Sequence, residues 1–207
     1  MSDRKQELLD QIAEKIDEVK RLIDVGFEHV TSNQNENIAQ CYAELGNEEE
    51  AINYFLRSLD VLKLTPLDQR ETPHWYYNYM NIFGTMCAYA ENVPKLKEVA
   101  QTKAPEAIVE FDYNLGAVTS WVSHGRNNGL LSDEEAMQVA AKALDTLNLA
   151  DHEEKYGILN SLQELYGPIY DCGDSVLKDK CLVLMRACAE GQDWKKDLED
   201  WLESQYP

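Results

Sequence analysis

The chain has 207 residues, of which 19 are Lys or Arg and 38 are Asp or Glu, giving a formal charge of −19 with histidine neutral. With 44% apolar and 9% aromatic residues it is too rich in core-forming side chains for a disordered acidic tail, and its length fits one domain. So negative a field repels phosphate backbones and anionic lipid surfaces, which argues against nucleic-acid and membrane binding and favours basic partners, although charge alone also serves solubility.

Ten Gly and six Pro are few for this length, and the abundance of Leu, Ala, Glu and Lys points to helices throughout. No apolar run approaches the ~20 residues that span a bilayer. The stretch from Met1 to Asp10 is charged from the start and lacks a signal-peptide core, so a cytoplasmic protein is expected. The five cysteines (Cys41, Cys87, Cys172, Cys181 and Cys188) are odd in number and form no Cys-x-x-Cys pair. They read as reduced thiols, not as a disulfide scaffold.

Residues 1–30 read as one amphipathic helix. Ser2 or Asp3 can cap it, and Leu9, Ile12, Ile16, Val19, Ile23 and Gly26 recur at spacings of three and four. This stripe suits a helix lying on the rest of the fold. A homodimer through the same helix is the alternative, but the heptads are fewer than a coiled coil usually needs.

The stretch Asn35–Pro66 is the most informative. Two helical patterns meet at Gly46-Asn47, where Gly can turn the chain. Ile38, Ala39, Tyr42 and Leu45 give the first an apolar face; Ala51, Ile52, Phe55, Leu59 and Leu62 give the second one. Glu48, Glu49 and Glu50 open the second helix, where carboxylates favour the dipole, so the triplet reads as a helix start and not as a metal site. Ala39, Tyr42, Leu45-Gly46, Ala51 and Phe55 stand where a tetratricopeptide repeat has small and aromatic residues, and the segment resembles one such repeat. Ser58 replaces the usual Ala, Asn35 the frequent Trp, and Pro66 comes about three residues late.

Weaker hairpins follow. The second, 72–103, has His74, Tyr76, Tyr77, Met80, Phe83 and Cys87, then Val93-Pro94 and a short helix with Leu96, Val99 and Ala100. The third, 105–148, starts near Pro105, places Leu115-Gly116 in the family's Leu-Gly position, and inserts an HGRNNGLL loop. It then opens its second helix with a Ser132–Glu135 capping box ahead of Ala136, Ala140 and Ala143. The fourth, 151–190, turns through Gly167-Pro168 to Gly173-Asp174 and carries Leu162 and Leu165, then Leu177, Cys181 and Met185. A last helix, 193–206, with Trp194, Leu198, Trp201 and Leu202 suits the closing position of a stack. The expected fold is all-α: one domain, 1–207, of antiparallel hairpins (33–66, 72–103, 105–148, 151–190) stacked as a tetratricopeptide-like solenoid, with a long N-terminal helix and a C-terminal capping helix.

Catalytic templates are missing. The sequence has no Gly-x-Gly-x-x-Gly, P-loop, Gly-x-Ser-x-Gly or His-Glu-x-x-His motif. His29, His74, His124 and His152 are scattered, Glu71-x-x-His74 occurs once around Pro73, and Cys181 and Cys188 read as core residues. No enzyme activity, cofactor or metal is therefore expected.

The resemblance implies that the first helix of each hairpin lines a concave groove for a partner segment. Carried onto this chain, those positions are Asn33, Glu36, Gln40 and Glu44, then Asn78, Asn81, Thr85 and Tyr89, then Tyr113, Ala117, Ser120 and Trp121. Glu36 and Gln40 stand where chaperone-binding relatives grip carboxylates with basic side chains, so an anionic peptide would be repelled. The leading expectation is a non-enzymatic adaptor that binds a basic or amphipathic protein segment in this groove. The alternative is an acidic inhibitor or immunity protein that neutralises a basic toxin or nuclease through clustered surface carboxylates.

Overall fold

The structure, a computed structural model, describes residues 3–66, 73–151 and 155–205. Among them are ten α-helices, two short 3-10 turns and no strand, in line with the all-α expectation. The side chain of His74, and all of His152 and Tyr206, lie outside the described residues. Contacts gather in two compact groups, Met1–Glu71 with Asn78–Ala107 and Thr72–Tyr77 with Ile108–Pro207, and no linker in the sequence marks the division.

The first group begins with α1 (Asp3–Asp24). Its buried face is Leu8, Ile12 and Val19, with Ile16 and Ile23 partly covered; Leu9, expected inward, is 37% exposed. Both leucines satisfy a helical spacing to Ile12, and it is Leu8, a full four residues away, that the fold buries. The helix stops short of residue 30 because Gly26 takes φ +83°, with Phe27 N–H donating to the Leu22 carbonyl and Gly26 N–H to that of Ile23. This is a Schellman end, so Gly26 terminates the apolar stripe and does not belong to it.

The next two helices, α2 (Ser32–Glu44) and α3 (Glu48–Leu62), pack against each other. Gly46, at φ +70°, ends α2 in the same manner, and the Asn47 side chain then accepts from Glu50 N–H to cap α3. Ala39, Ala43, Ala51 and Phe55 have no exposed surface, so small side chains allow the close approach and one ring fills it. Tyr42 of α2 stacks on Tyr54 of α3 at 5.6 Å. Arg4 to Glu44, Gln11 to Cys41 and Glu18 to Gln34 are successive contacts of α1 with α2, which therefore run antiparallel.

Helices α4 (Pro73–Ala88) and α5 (Lys95–Glu110) contribute further residues. Tyr79, Met80, Ile82, Phe83 and Met86 of α4 are buried, and α5 buries Leu96, Ala100 and Ala104. Far from being short, α5 runs through Pro105, where the sequence predicts the start of a third hairpin. Pro105 and Gln101 are both exposed, so the carbonyl that loses its N–H partner can be hydrated.

In the second group, α6 (Leu115–Asn127) has every residue from Leu115 to Val122 buried, and it packs on α7 (Asp133–Thr146) and α8 (Lys155–Cys172). His124 to Asn127 belong to α6, so the expected HGRNNGLL loop shrinks to residues 128–132. The capping box forms as expected, Glu135 N–H donating to Ser132 Oγ and Ser132 N–H to the Glu135 carboxylate at 2.9 Å. Helix α8 continues through Pro168, and the turn before α9 (Ser175–Ala189) lies at Gly173-Asp174 alone. Helix α10 (Lys195–Gln205) buries Leu198 and Leu202 and is tied to α9 by a two-pronged Arg186–Glu199 bridge at 2.8 and 2.9 Å.

Candidate functional site

Asn33, Glu36, Gln40 and Glu44 follow one another by three, four and four residues and so form one stripe on α2. Asn33 and Glu44 are exposed, while Glu36 and Gln40 are half-buried. Asn78, Asn81 and Thr85 repeat the same spacing on α4, and Tyr89 lies one residue past its end. Within the first group the stripes meet where the Tyr89 hydroxyl donates to Gln40 Oε1 at 3.5 Å. The Thr85 hydroxyl turns back to the Asn81 carbonyl of its own helix.

The phenol of Tyr89 is held above its ordinary pKa, first by burial and then by the carboxylate of Glu44, the thiol of Cys41 and the carboxylate of Glu36, with Arg4 opposing. The hydrogen bond to Gln40 brings Tyr89 to the α2 stripe that also carries Glu36 and Glu44. Two members of this patch were not foreseen. Arg4 reaches from α1 to place Nη2 2.6 Å from Glu44 Oε2, and its hydrogen bonds to Glu44 and Glu7 raise its own pKa. Cys41 is half-buried beside it, its thiol pushed up by burial first and by Glu44 second. No sequence signal joins Arg4 to Glu44, because they are 40 residues apart.

The members assigned to the third hairpin behave differently. Ala117 and Ser120 have no exposed surface and Trp121 is 1% exposed. They are core residues, because α6 is enclosed over this whole length, and the groove expectation is corrected at these three positions. Tyr113 precedes α6 and shares no helical face with Trp121. It and Asp112 adopt φ of +57° and +47°, and its ring lies over the Lys142 ammonium at 3.6 Å.

The patch offers carboxylates, an amide and a phenol against the guanidinium of Arg4, all suited to gripping cations and peptide groups. Both its phenol and its thiol are held toward the protonated form. Elsewhere, burial pushes the Cys87 thiol up to about 11 and that of Cys181, which donates to the Leu162 carbonyl, up to about 12. Among the described residues no three His, Cys, Asp or Glu side chains are grouped as metal ligands, and no helix is long and apolar enough to cross a membrane. No protein-family model, curated protein or solved structure matches the chain.

Proposed function

We propose that the chain is a cytoplasmic, non-enzymatic interaction module of stacked tetratricopeptide-like hairpins, and that it binds a basic or amphipathic protein segment on the α2 and α4 stripes. The observation that carries this reading is the convergence of Glu36, Gln40, Glu44 and Tyr89 in one patch whose countercharge is Arg4. Support also comes from the chain's net charge of −19 and from the fully buried Ala39, Ala51 and Phe55 of α2 and α3. Carboxylates steer a cationic segment in, and the Tyr89 ring gives it an anchor.

One observation favours the inhibitor reading. Asp3, Glu7, Asp10 and Glu14 form an exposed row on α1, at alternating spacings of four and three. Such a row presents carboxylates at roughly 5 Å intervals, a spacing able to imitate a phosphate backbone.

The deciding experiment isolates the partner from cells that make the protein, identifies it by mass spectrometry, and measures binding kinetics against salt for the parent, Tyr89→Ala, Glu44→Gln and Asp10→Lys/Glu14→Lys chains. The adaptor reading expects Tyr89→Ala to weaken binding by ~2 kcal/mol or more without lowering the melting temperature, and added salt to slow association steeply. Binding that survives Tyr89→Ala and Glu44→Gln but fails with the α1 reversals overturns it in favour of the inhibitor.

A further inference from the structure

A second concave surface lies wholly within the Thr72–Tyr77 and Ile108–Pro207 group. It is an open groove of about 580 Å³ between the N-terminal half of α7, the end of α8 and the start of α9. The volume falls within the ~300–1,000 Å³ of ordinary ligand sites. Its apolar residues are Met137 and Ala141 of α7 and Val176 and Leu177 of α9. Met137 and Leu177 are buried and form its floor, and Val176 is 74% exposed. The rim carries the carboxylates of Asp133, Glu134 and Asp174. Asp133 is bridged by Arg126 at 2.8 Å and Asp174 caps α9 at 3.0 Å, so the rim remains acidic overall.

We propose that this groove is a docking site for a basic amphipathic helix, distinct from the α2 and α4 stripes and independent of their role. Charge selects the occupant. With Asp133 offset by Arg126, the rim keeps the net negative charge of Glu134 and Asp174, which a purely apolar segment would leave uncompensated and Lys or Arg flanking an apolar stripe offsets. Length selects its size. From Glu134 to Ala141 the α7 wall is about 10 Å long, which matches two turns of a helix presenting apolar side chains at i and i+3 or i+4. Val176 then has a role that the fold itself does not supply, as the apolar lip that the ligand covers.

The chain holds a reporter for each surface. Cys172 lines this groove and Cys41 lies beside Tyr89, both half-buried, while Cys87, Cys181 and Cys188 are buried. The experiment follows maleimide labelling of the full chain by peptide mass spectrometry, with a synthetic helix of Leu at i, i+3 and i+4 on a Lys background. The control is a peptide of equal composition with its leucines dispersed around the helix. Occupancy lowers the free-site fraction as 1/(1 + [L]/Kd), so Cys172 labelling slows about fivefold at a peptide concentration of about four times Kd. The dispersed peptide does not slow it. Val176→Ser and Glu134→Lys, both at exposed positions and checked by circular dichroism, reduce the protection to below about twofold. Protection that is equal with both peptides, that survives both substitutions, or that is absent at Cys172 overturns the proposal. Protection at Cys41 reads out the α2 and α4 stripes, so either surface can fail without the other.

Discussion

Ser32 and Ser58 face each other across α2 and α3 with their hydroxyl oxygens 2.8 Å apart, each also within bonding distance of the other's main-chain carbonyl, at 3.1 and 2.9 Å. Two protons serve three contacts, and both side chains are buried. The position that resembles the family's small Ala is thus held by a residue of nearly the same size that also joins the two helices. Ser58→Ala is expected to cost ~1 kcal/mol, the worth of one hydrogen bond, because Ser32 keeps the Ser58 carbonyl as partner. Ser58→Leu is expected to cost ~1–3 kcal/mol by overpacking. Urea denaturation of both variants checks the ordering.

Trp121→Ala is expected to destabilise the chain by ~3–5 kcal/mol, as deletion of a core ring does. Tyr113→Ala removes a half-buried ring whose described partner is the exposed Lys142, and is expected to cost nearer ~1 kcal/mol. Thermal melts that gave the two substitutions equal effects would contradict the enclosed position of α6.

Gly125 lies in α6 where a Cβ would fall 2.7 Å from Leu131 Cδ1 and 2.8 Å from Cγ. Alanine improves helix propensity by up to ~1 kcal/mol, but the contact with Cγ cannot be relieved by moving a methyl alone. Gly125→Ala is therefore expected to be destabilising by ~1–2 kcal/mol net. In Leu131→Ala the obstruction is gone and the same change becomes neutral or favourable. A double-mutant cycle with coupling of at least ~1 kcal/mol is the expected result.

Burial holds the His124 imidazole below its ordinary pKa. The unfolded chain then binds more protons than the folded one, so this residue's contribution to stability is complete above the unfolded value of ~6.5 and is lost as pH falls through and below it. His124→Gln is expected to flatten the fall in urea midpoint between about pH 7.5 and 5.5 relative to the parent. An unchanged slope would show that other groups set it.

The legible parts of the fold are those where spacing and composition coincide. Ala39, Gly46, Ala51 and Phe55 announced α2, its end and α3, because close approach demands small residues and the Schellman end accepts positive φ. Ser132 and Glu135 announced α7, because a capping box is a purely local device. Pro105 and Pro168 misled, since a missing N–H breaks a helix only where the orphaned carbonyl finds no other partner, and the sequence does not say which side is wet. Ala117, Ser120 and Trp121 misled for a related reason: family register assigns a face, but only packing decides whether that face has a neighbour. The stripe of Glu36, Gln40 and Glu44 is legible because i, i+4 spacing puts side chains on one helix face. Arg4 is not, because its approach depends on α1 running antiparallel to α2.

Chain order bears on how the protein can be dissected. The second group of residues takes Thr72–Tyr77 from ahead of Asn78–Ala107, which belong to the first. Neither group is a continuous length of polypeptide, so no single cut releases either one whole and free of residues from the other. A fragment ending at Ala107 holds all of the first group together with Thr72–Tyr77 of the second.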